Sequence, residues 1–308
     1  MKKIIVLGSI NMDLVVGAER APEGGETLFG SSFQTIPGGK GANQAVATAR
    51  LGGEVAMIAR VGDDGFGDEL ITKLVENSID VQQVRRDASR PTGVALIVVE
   101  TSGQNRILVV AGANGQVSKA DVDDAGTLFD RSDFIVLQLE TPLETVAYAI
   151  SVAKSRHVQT VLNAAPARPL PDDLLRQVDY LLVNESEAEA IAGKSVKSVD
   201  SAFEVASALQ KKGTGKVILT LGDKGAVAAD GEATWHTPAF AVKAVDTTAA
   251  GDAFTGGLVT ALQQGFALKD AIIRASAAGA LAACTFGAQP SLPTSDELQA
   301  FLAAQKVL

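Results

Sequence analysis

Two aspartates, Asp246 and Asp252, bracket the run Thr247-Thr248-Ala249-Ala250-Gly251, and an apolar helical pattern starts directly behind it. Residues of these types at this spacing suit an anion. The amides of a helix's first turn lack intrahelical acceptors, and the helix dipole favours negative charge there. Ala249, Ala250 and Gly251 add no bulk that would hold a phosphoryl group away from the backbone. Asp252 would stand beside that anion hole, where a base could take the proton of an attacking hydroxyl. The plainer alternative is an Asp or Thr N-cap with helix formers behind it.

Three further segments carry groups of the same kind. Pro37-Gly38-Gly39-Lys40-Gly41-Ala42-Asn43-Gln44 is a glycine-rich turn running into a helical pattern. It is not a P-loop, because Gly41 rather than Ser or Thr follows the lysine and the glycine spacing differs. A flexible loop and helix start would explain it, but Lys40 and Asn43 stand where backbone could come close to a ligand. Near the start, the apolar run Ile4 to Leu7 leads into Gly8-Ser9-Ile10-Asn11-Met12-Asp13. A strand ending in Asn-x-Asp places two hydroxyl-binding side chains on one face. Glu140 follows the apolar run Phe134 to Leu139 and is either a solvated strand end or a carboxylate of the site.

The elements that must position these groups alternate. Short runs rich in Val, Ile and Leu predict strands at 3–8, 55–60, 133–139, 159–163, 180–183, 216–221 and 226–229, as expected of strands buried on both faces. Helical periodicity predicts helices at 41–51, 66–77, 118–128, 142–155, 171–177, 186–192, 199–212, 250–264, 268–285 and 295–304, with Gly52, Gly193 and Gly213 at C-terminal stops. The alternation implies an α/β fold, a mostly parallel sheet with helices on both faces. Residues 14–36 read as extended chain and 92–110 as a hairpin; both break the alternation.

With 308 residues, 46% of them hydrophobic, the chain can bury a sizeable core. A net charge of -9 argues against a nucleic-acid partner, which would need a basic face; it leaves ATP open, because local cations and helix N-termini can meet a nucleotide's charge. The single cysteine, Cys284, excludes an intrachain disulfide and, beside the Ala-rich run Ala277 to Ala283, reads as a buried packing residue. The two histidines, His157 and His236, lack metal-site spacing. The apolar run at the N-terminus is too brief for a signal peptide and no stretch reaches a membrane span, so a cytoplasmic protein is expected.

Taken together the motifs are similar to those of the ribokinase-like (PfkB-type) carbohydrate kinase family, which also contains adenosine kinase and fructokinases. The resemblance rests on Gly8 to Asp13, Gly38 to Gln44 and Asp246 to Asp252, and on Gln138-Leu139-Glu140, Asn184-Glu185-Ser186-Glu187, Thr220-Leu221-Gly222 and Gly287-Ala288-Gln289-Pro290-Ser291, in family order along essentially the whole chain. It implies a single ribokinase-like domain over 1–308, with a small β lid formed by about 14–36 and 92–110 that ribose would close. It implies ATP-dependent phosphorylation of D-ribose at O5. Asp252 would be the base and the amides of Ala249, Ala250, Gly251 and Asp252 the anion hole.

The same resemblance assigns the remaining positions. Asn11, Asp13, Gly39, Lys40, Gly41, Ala42, Asn43, Glu140 and Asp252 correspond to sugar contacts. Members that phosphorylate deoxyribose depart at Asn11, whose amide suits a hydroxyl that deoxyribose lacks. Asn184 and Glu187 correspond to a motif acting on Mg²⁺ and phosphate through water, although acids in a first helical turn also complement the dipole. Thr220, Leu221, Gly222, Asp223, Lys224 and Gly225 correspond to the ATP-side turn, with Gly251 and Ser276 completing it; relatives often carry Asn or His where Ser276 stands. Asp246, Thr248, Ala282, Thr285, Gly287 and Ser291 correspond to a K⁺ site. A lid with an apolar outer face, as in Val94 to Val99, predicts a homodimer joined through the lids. Two alternatives remain: a kinase of this fold acting on another furanose or a nucleoside, and a catalytically silent sugar-binding regulator.

Overall fold

Short strands with apolar, buried centres form the middle of one nine-stranded sheet in the computed structural model, which describes residues 2–306. In chain order the strands are β1 (Lys3–Leu7), β2 (Asn11–Ala18), β3 (Ser32–Gly38), β4 (Val55–Gly62), β5 (Asp80–Asp87), β6 (Gly93–Glu100), β7 (Asn105–Val110), β8 (Ser132–Leu137), β9 (Gln159–Asn163), β10 (Tyr180–Val183), β11 (Lys216–Thr220), β12 (Ala226–Ala229) and β13 (Thr234–Thr237). The helices are α1 (Lys40–Arg50), α2 (Gly65–Glu76), α3 (Lys119–Asp124), α4 (Gly126–Phe129), α5 (Leu143–Ser155), α6 (Asp172–Leu175), α7 (Glu185–Ala192), α8 (Val199–Lys211), α9 (Ala250–Gln263), α10 (Leu268–Ala282) and α11 (Ser295–Ala304).

The large sheet runs β13-β12-β11-β10-β9-β8-β1-β4-β5, parallel from β11 to β5 and antiparallel at β12 and β13. Side chains of a strand alternate between faces, and β1 divides accordingly. Ile4 and Val6 enter a core shared with α1, α2, α9, α10 and α11, whereas Ile5 and Leu7 enter one shared with α5, α7 and α8. The sheet order reverses about β1, which lies between β4 and β8. In such sheets ligands bind beyond the carboxyl ends of the strands near that reversal. The chain leaving those ends carries Ser9 after β1, Glu140 after β8, Asn163 on β9 and Asn184 after β10.

Residues 14–36 and 92–110 pair with each other in a second sheet, β3-β2-β6-β7. β2 and β6 are parallel, in register from Asn11↔Gly93 to Ala18↔Glu100, and the outer pairs are antiparallel. Residues of β7 are exposed along its whole length.

Several expectations are corrected. Asn11 and Asp13 do not end the first strand: β1 stops at Leu7, the chain turns, and both residues open β2 of the smaller sheet, still on one face of a strand. β5 and β13 are strands although their residues are polar, because each lies at an edge of the sheet. The helix expected over 118–128 is two short helices, divided at Ala125. Cys284 is exposed, because α10 ends at Ala282 and releases the chain to the surface. No helix among the described residues is long and apolar enough to cross a membrane.

Candidate active site

Asp252 does not cap α9. The N-cap is Ala249, held in the left-handed region at φ 60°, and no side chain caps it. A non-glycine residue there costs about 1–3 kcal/mol and is kept where the surroundings impose it. The turn leaves the amides of Ala249, Gly251 and Asp252 without an acceptor among the described residues, while Ala250 N–H donates to Thr247 O at 3.2 Å. Of the four amides expected to form an anion hole, three are therefore open. Asp252 is buried, and its carboxylate is gripped from α1: Asn43 Nδ2 donates to Oδ2 at 3.0 Å and Gln44 Nε2 to Oδ1 at 2.9 Å. Burial pushes its pKa above the ordinary carboxylate value, and the Lys40 ammonium and the two amides pull against that.

The glycine-rich turn places α1 against the chain leaving β1. Gly39 has φ 87°, and a Cβ on Gly41 would lie 2.5 Å from Ser9 N. Any side chain at Gly41 would force the two segments apart. At this junction Glu140 Oε2 accepts from Ser9 Oγ at 2.5 Å and from Lys40 N at 3.1 Å, so Glu140 is part of the cluster and not a solvated strand end. Burial alone would lower the Lys40 pKa, but Asp252, Glu140, Glu187 and Asp13 outweigh it and hold the ammonium charged.

Asn11 and Asp13 reach the same cluster from β2, and both are buried. Asn114 Nδ2 donates to Asn11 Oδ1 at 2.7 Å, which leaves the Asn11 Nδ2 to a ligand. Asp13 is pushed up to about 7 by burial and by the charges of Glu140 and Asp252, with Lys40 opposing. Asn43 Oδ1 is buried without a partner among the described residues. Ala42, next to it, is buried. Buried polar groups in a folded protein are normally hydrogen-bonded, so an open acceptor beside two carboxylates and an ammonium suits a polyhydroxylated ligand.

A cavity of about 350 Å³ opens from Lys40 and Asp252 across Gly251, Ala249 and Thr248 to Asn184, Glu187 and Thr220, and Ile107 of β7 reaches into its lining. Asn184 and Glu187 form the capping box of α7: Asn184 Oδ1 accepts from Glu187 N at 2.9 Å, and Glu187 Oε2 accepts from Asn184 N at 2.8 Å. Both thus serve the helix and face the cavity. Burial raises the Glu187 pKa, and the Asn184 amide and Lys40 offset part of it. One carboxylate and one amide, already joined to each other, suit a hydrated Mg²⁺ carried on phosphates better than a directly ligated ion. Among the described residues no group of three or more His, Cys, Asp or Glu could hold a metal.

The other predicted positions lie outside the cavity's lining. Leu221 is buried behind the turn, and Asp223 and Lys224 are exposed on it. Gly222 faces open space, whereas a Cβ on Gly225 would lie 2.1 Å from Thr237 O, so the second glycine is fixed by β13. Ser276 Oγ is buried without a partner among the described residues. Asp246 Oδ1 accepts from Thr248 N and Oγ1, and Oδ2 accepts from Gly287 N at 2.9 Å. These bonds tie the loop before α9 to the loop after α10 and hold the Asp246 pKa low against burial. Ser291 Oγ donates to Ala288 O and keeps its lone pairs. Ala282 and Thr285 sit at the end of α10. This oxygen set fits a monovalent cation.

Four residues with no predicted role complete the cluster: Ser9, Gln44, Asn114 and Asn163. Ser9 and Gln44 lie inside the motifs, but their partners are distant in sequence and no local pattern marks them.

The description "pfkB family carbohydrate kinase" matches residues 1–295. A ribokinase of Haemophilus influenzae is 41% identical over 301 residues, covering 98% of both chains. A deoxyribokinase of Salmonella typhi is 38% identical over 300 residues, covering 97% of this chain and 98% of its own. The structure of Arabidopsis thaliana ribokinase complexed with ribose and ATP superposes with a TM-score of 0.90 at 30% identity, covering 98% of each chain.

Proposed function

The chain belongs to the pfkB family of carbohydrate kinases and is an ATP-dependent carbohydrate kinase; on that premise we propose that it phosphorylates D-ribose at O5 to give D-ribose 5-phosphate. The observation that carries the reading is Asp252: a buried carboxylate in the first turn of α9 that caps nothing and lies beside three open amides and Lys40. A sugar-binding protein without chemistry has no need of that combination.

Asn11 Nδ2, Asp13, Asn43, Glu140 and the backbone from Gly39 to Asn43 bind the sugar hydroxyls. Asp252 takes the O5 proton as O5 bonds to the terminal phosphorus of ATP. The bond from that phosphorus to the β–γ bridging oxygen breaks, and ADP leaves with the electron pair. The open amides and Lys40 meet the charge on the transferred phosphoryl group. Asn184 and Glu187 would hold a hydrated Mg²⁺, which would supply neutralisation of phosphate charge. Asp246, Thr248, Ala282, Thr285, Gly287 and Ser291 would hold a K⁺ whose charge would steady the loop leading into the hole. The nucleotide lies along Thr220 to Gly225 toward Ser276.

The smaller sheet acts as a lid, since Ile107 already lines the cavity. Phe29 is 98% exposed and Phe33, Ile107 and Leu108 more than half; apolar surface of that extent suits a second copy of the chain, and light scattering should give a dimer mass. ATP as donor makes the cytoplasm the place of work. Deoxyribose is the second reading, favoured by the Salmonella typhi relative. The Asn11 amide, turned by Asn114 to donate toward a sugar hydroxyl, argues for ribose. An ATP-consumption assay with ribose, deoxyribose, fructose and adenosine decides: ribose should have the highest kcat/KM, and a higher value for any of the others would reject the assignment.

A further inference from the structure

Beside Asp252 lies a chain of amides that the phosphoryl-transfer chemistry does not itself require; Asn163 lines the cavity, whereas Gln44 and Gln138 are buried outside its lining. Gln44 of α1 donates from Nε2 to Asp252 Oδ1 and, at 3.1 Å, to Asn163 Oδ1. Its Oε1 accepts from Gln138 Nε2 at 2.6 Å. Gln44 and Gln138 are both fully buried. Gln138 Oε1 has no partner among the described residues; it lies against Gly8, where a Cβ would come within 2.0 Å of it.

We propose that Gln44, set in turn by Gln138, is the positioning residue that fixes the orientation of Asp252 and holds it as the carboxylate that receives the hydroxyl proton. The inference rests on the reading of Asp252 as the base. An ionised carboxylate only accepts hydrogen bonds, so it requires the Gln44 amide to present nitrogen. That turns the Gln44 carbonyl toward Gln138, which must then present its own nitrogen and leave its oxygen unpaired. An unpaired buried acceptor costs about 1–3 kcal/mol. Two leucines would avoid that cost, so the pair serves Asp252 rather than the core.

The charged groups facing Asp252 explain why it needs such support. Glu140 from beyond β8, Asp13 from β2 and Glu187 from α7 all oppose its charge, and Lys40 alone favours it. Lys40 lines the cavity and Asn43 Oδ1 has no partner among the described residues, so on the proposed reading substrate engages both. Gln44 is fully buried, lies outside the cavity's lining and spends its Oε1 on Gln138, so its hold on Asp252 is expected to be the same with and without ligand.

The test compares Gln44→Met, Gln138→Glu and Asp252→Asn by kcat, KM for ribose and the acid limb of the pH–kcat profile. Gln44→Met removes the donor. Gln138→Glu acts from the far end: a carboxylate there demands nitrogen from Gln44 and turns its carbonyl toward Asp252. Both should lower kcat about tenfold or more at pH 7 and move the acid limb up by about one pH unit, the size of a lost charged hydrogen bond. KM should stay within about threefold. A packing role alone would lower the melting temperature and leave the acid limb in place, and that result overturns the proposal. Failure of both variants to fold assigns the pair to stability and overturns it too. An inactive Asp252→Asn protein beside glutamine variants with unshifted acid limbs rejects the relay and keeps the base; an active Asp252→Asn protein rejects the base itself.

Discussion

Asn11, Asp13, Asn43 and Asp252, at the inner end of the cleft, are buried, and all but Asp13 are joined by hydrogen bonds to Asn114, Gln44 or one another. At the outer end Gly222, Asp223, Lys224, Thr248 and Thr285 are exposed, and the polar groups on offer are largely main-chain. The difference follows from what each end must hold. A small neutral polyol is distinguished only by where its hydroxyls point, so converging side chains in fixed orientation are needed, and every one left unpaired is costly. A nucleotide brings its own charge and metal, which helix N-termini, carbonyls and water can meet without a dedicated side chain for each group. Perturbed carboxylates cluster accordingly at the inner end.

The largest effect should come from the inner end. Asp252→Asn keeps the shape of the side chain, and Asn43 can turn its unpaired Oδ1 to accept from the new amide, so the protein should fold. Turnover should fall by about two to four orders of magnitude, the usual share of a general base, while ribose affinity changes much less, because Asn11, Asp13 and Glu140 are left in place. A residual rate above about a tenth of wild type would reject the base.

Gly251 tests the boundary between the two ends. A Cβ there meets nothing within 4 Å, yet the residue lines the cavity. Gly251→Ala should leave the melting temperature level or slightly higher, because alanine favours helix by about 1 kcal/mol over glycine. Turnover should still fall by about ten- to a hundredfold, within the reach of a disturbed oxyanion donor. An unaffected rate would mean that the phosphoryl group does not approach this amide.

Asp13 gives a pH signature that the outer end lacks. Its pKa of about 7 in the folded chain, against an ordinary 3.8, means that the folded state keeps a proton the unfolded state has lost. Its contribution to stability therefore declines as pH rises through that window and is level above it. Sugar hydroxyls donating to the carboxylate favour the charged form. Ribose affinity should rise with pH by up to about tenfold per unit below 7 and flatten above. Calorimetry in two buffers of different ionisation enthalpy should register proton release near pH 7, and Asp13→Asn should abolish it. The smallest effect belongs to the outer end: replacing K⁺ with choline at fixed Mg²⁺ and ATP should reduce turnover severalfold and leave ribose affinity alone. Equal rates would remove the monovalent cation.

The same contrast governs what could be read from the sequence. Central strands such as β1 and β8 are legible because burial on both faces demands unbroken apolar runs. β5, with Gln82, Gln83, Arg85 and Arg86, and β13, with Thr234 and His236, lie at sheet edges where one side meets solvent, so no such run marks them. In the site, Lys40, Asn43, Asp252 and Glu140 are legible from residue type beside glycine turns or strand ends. Gln44 and Gln138 are not, because an amide acquires meaning only from partners: Asp252 is 208 residues from Gln44, and Gln138 is 94. Asn184 and Glu187 carry two readings in the sequence, helix-start acids and a Mg²⁺-phosphate motif; the geometry shows the capping box and puts the same residues on the cavity wall.

On the proposed reading the inner end presents the ribose 5-hydroxyl to ATP. Phosphorus NMR of the reaction of intact protein with ribose, Mg²⁺ and ATP tests it most directly. ADP and a single new phosphomonoester are expected, its phosphorus coupled to the C5 methylene protons of the pentose. Phosphate appearing on another carbon of the ribose, or ATP consumed with no ribose ester formed, would contradict it.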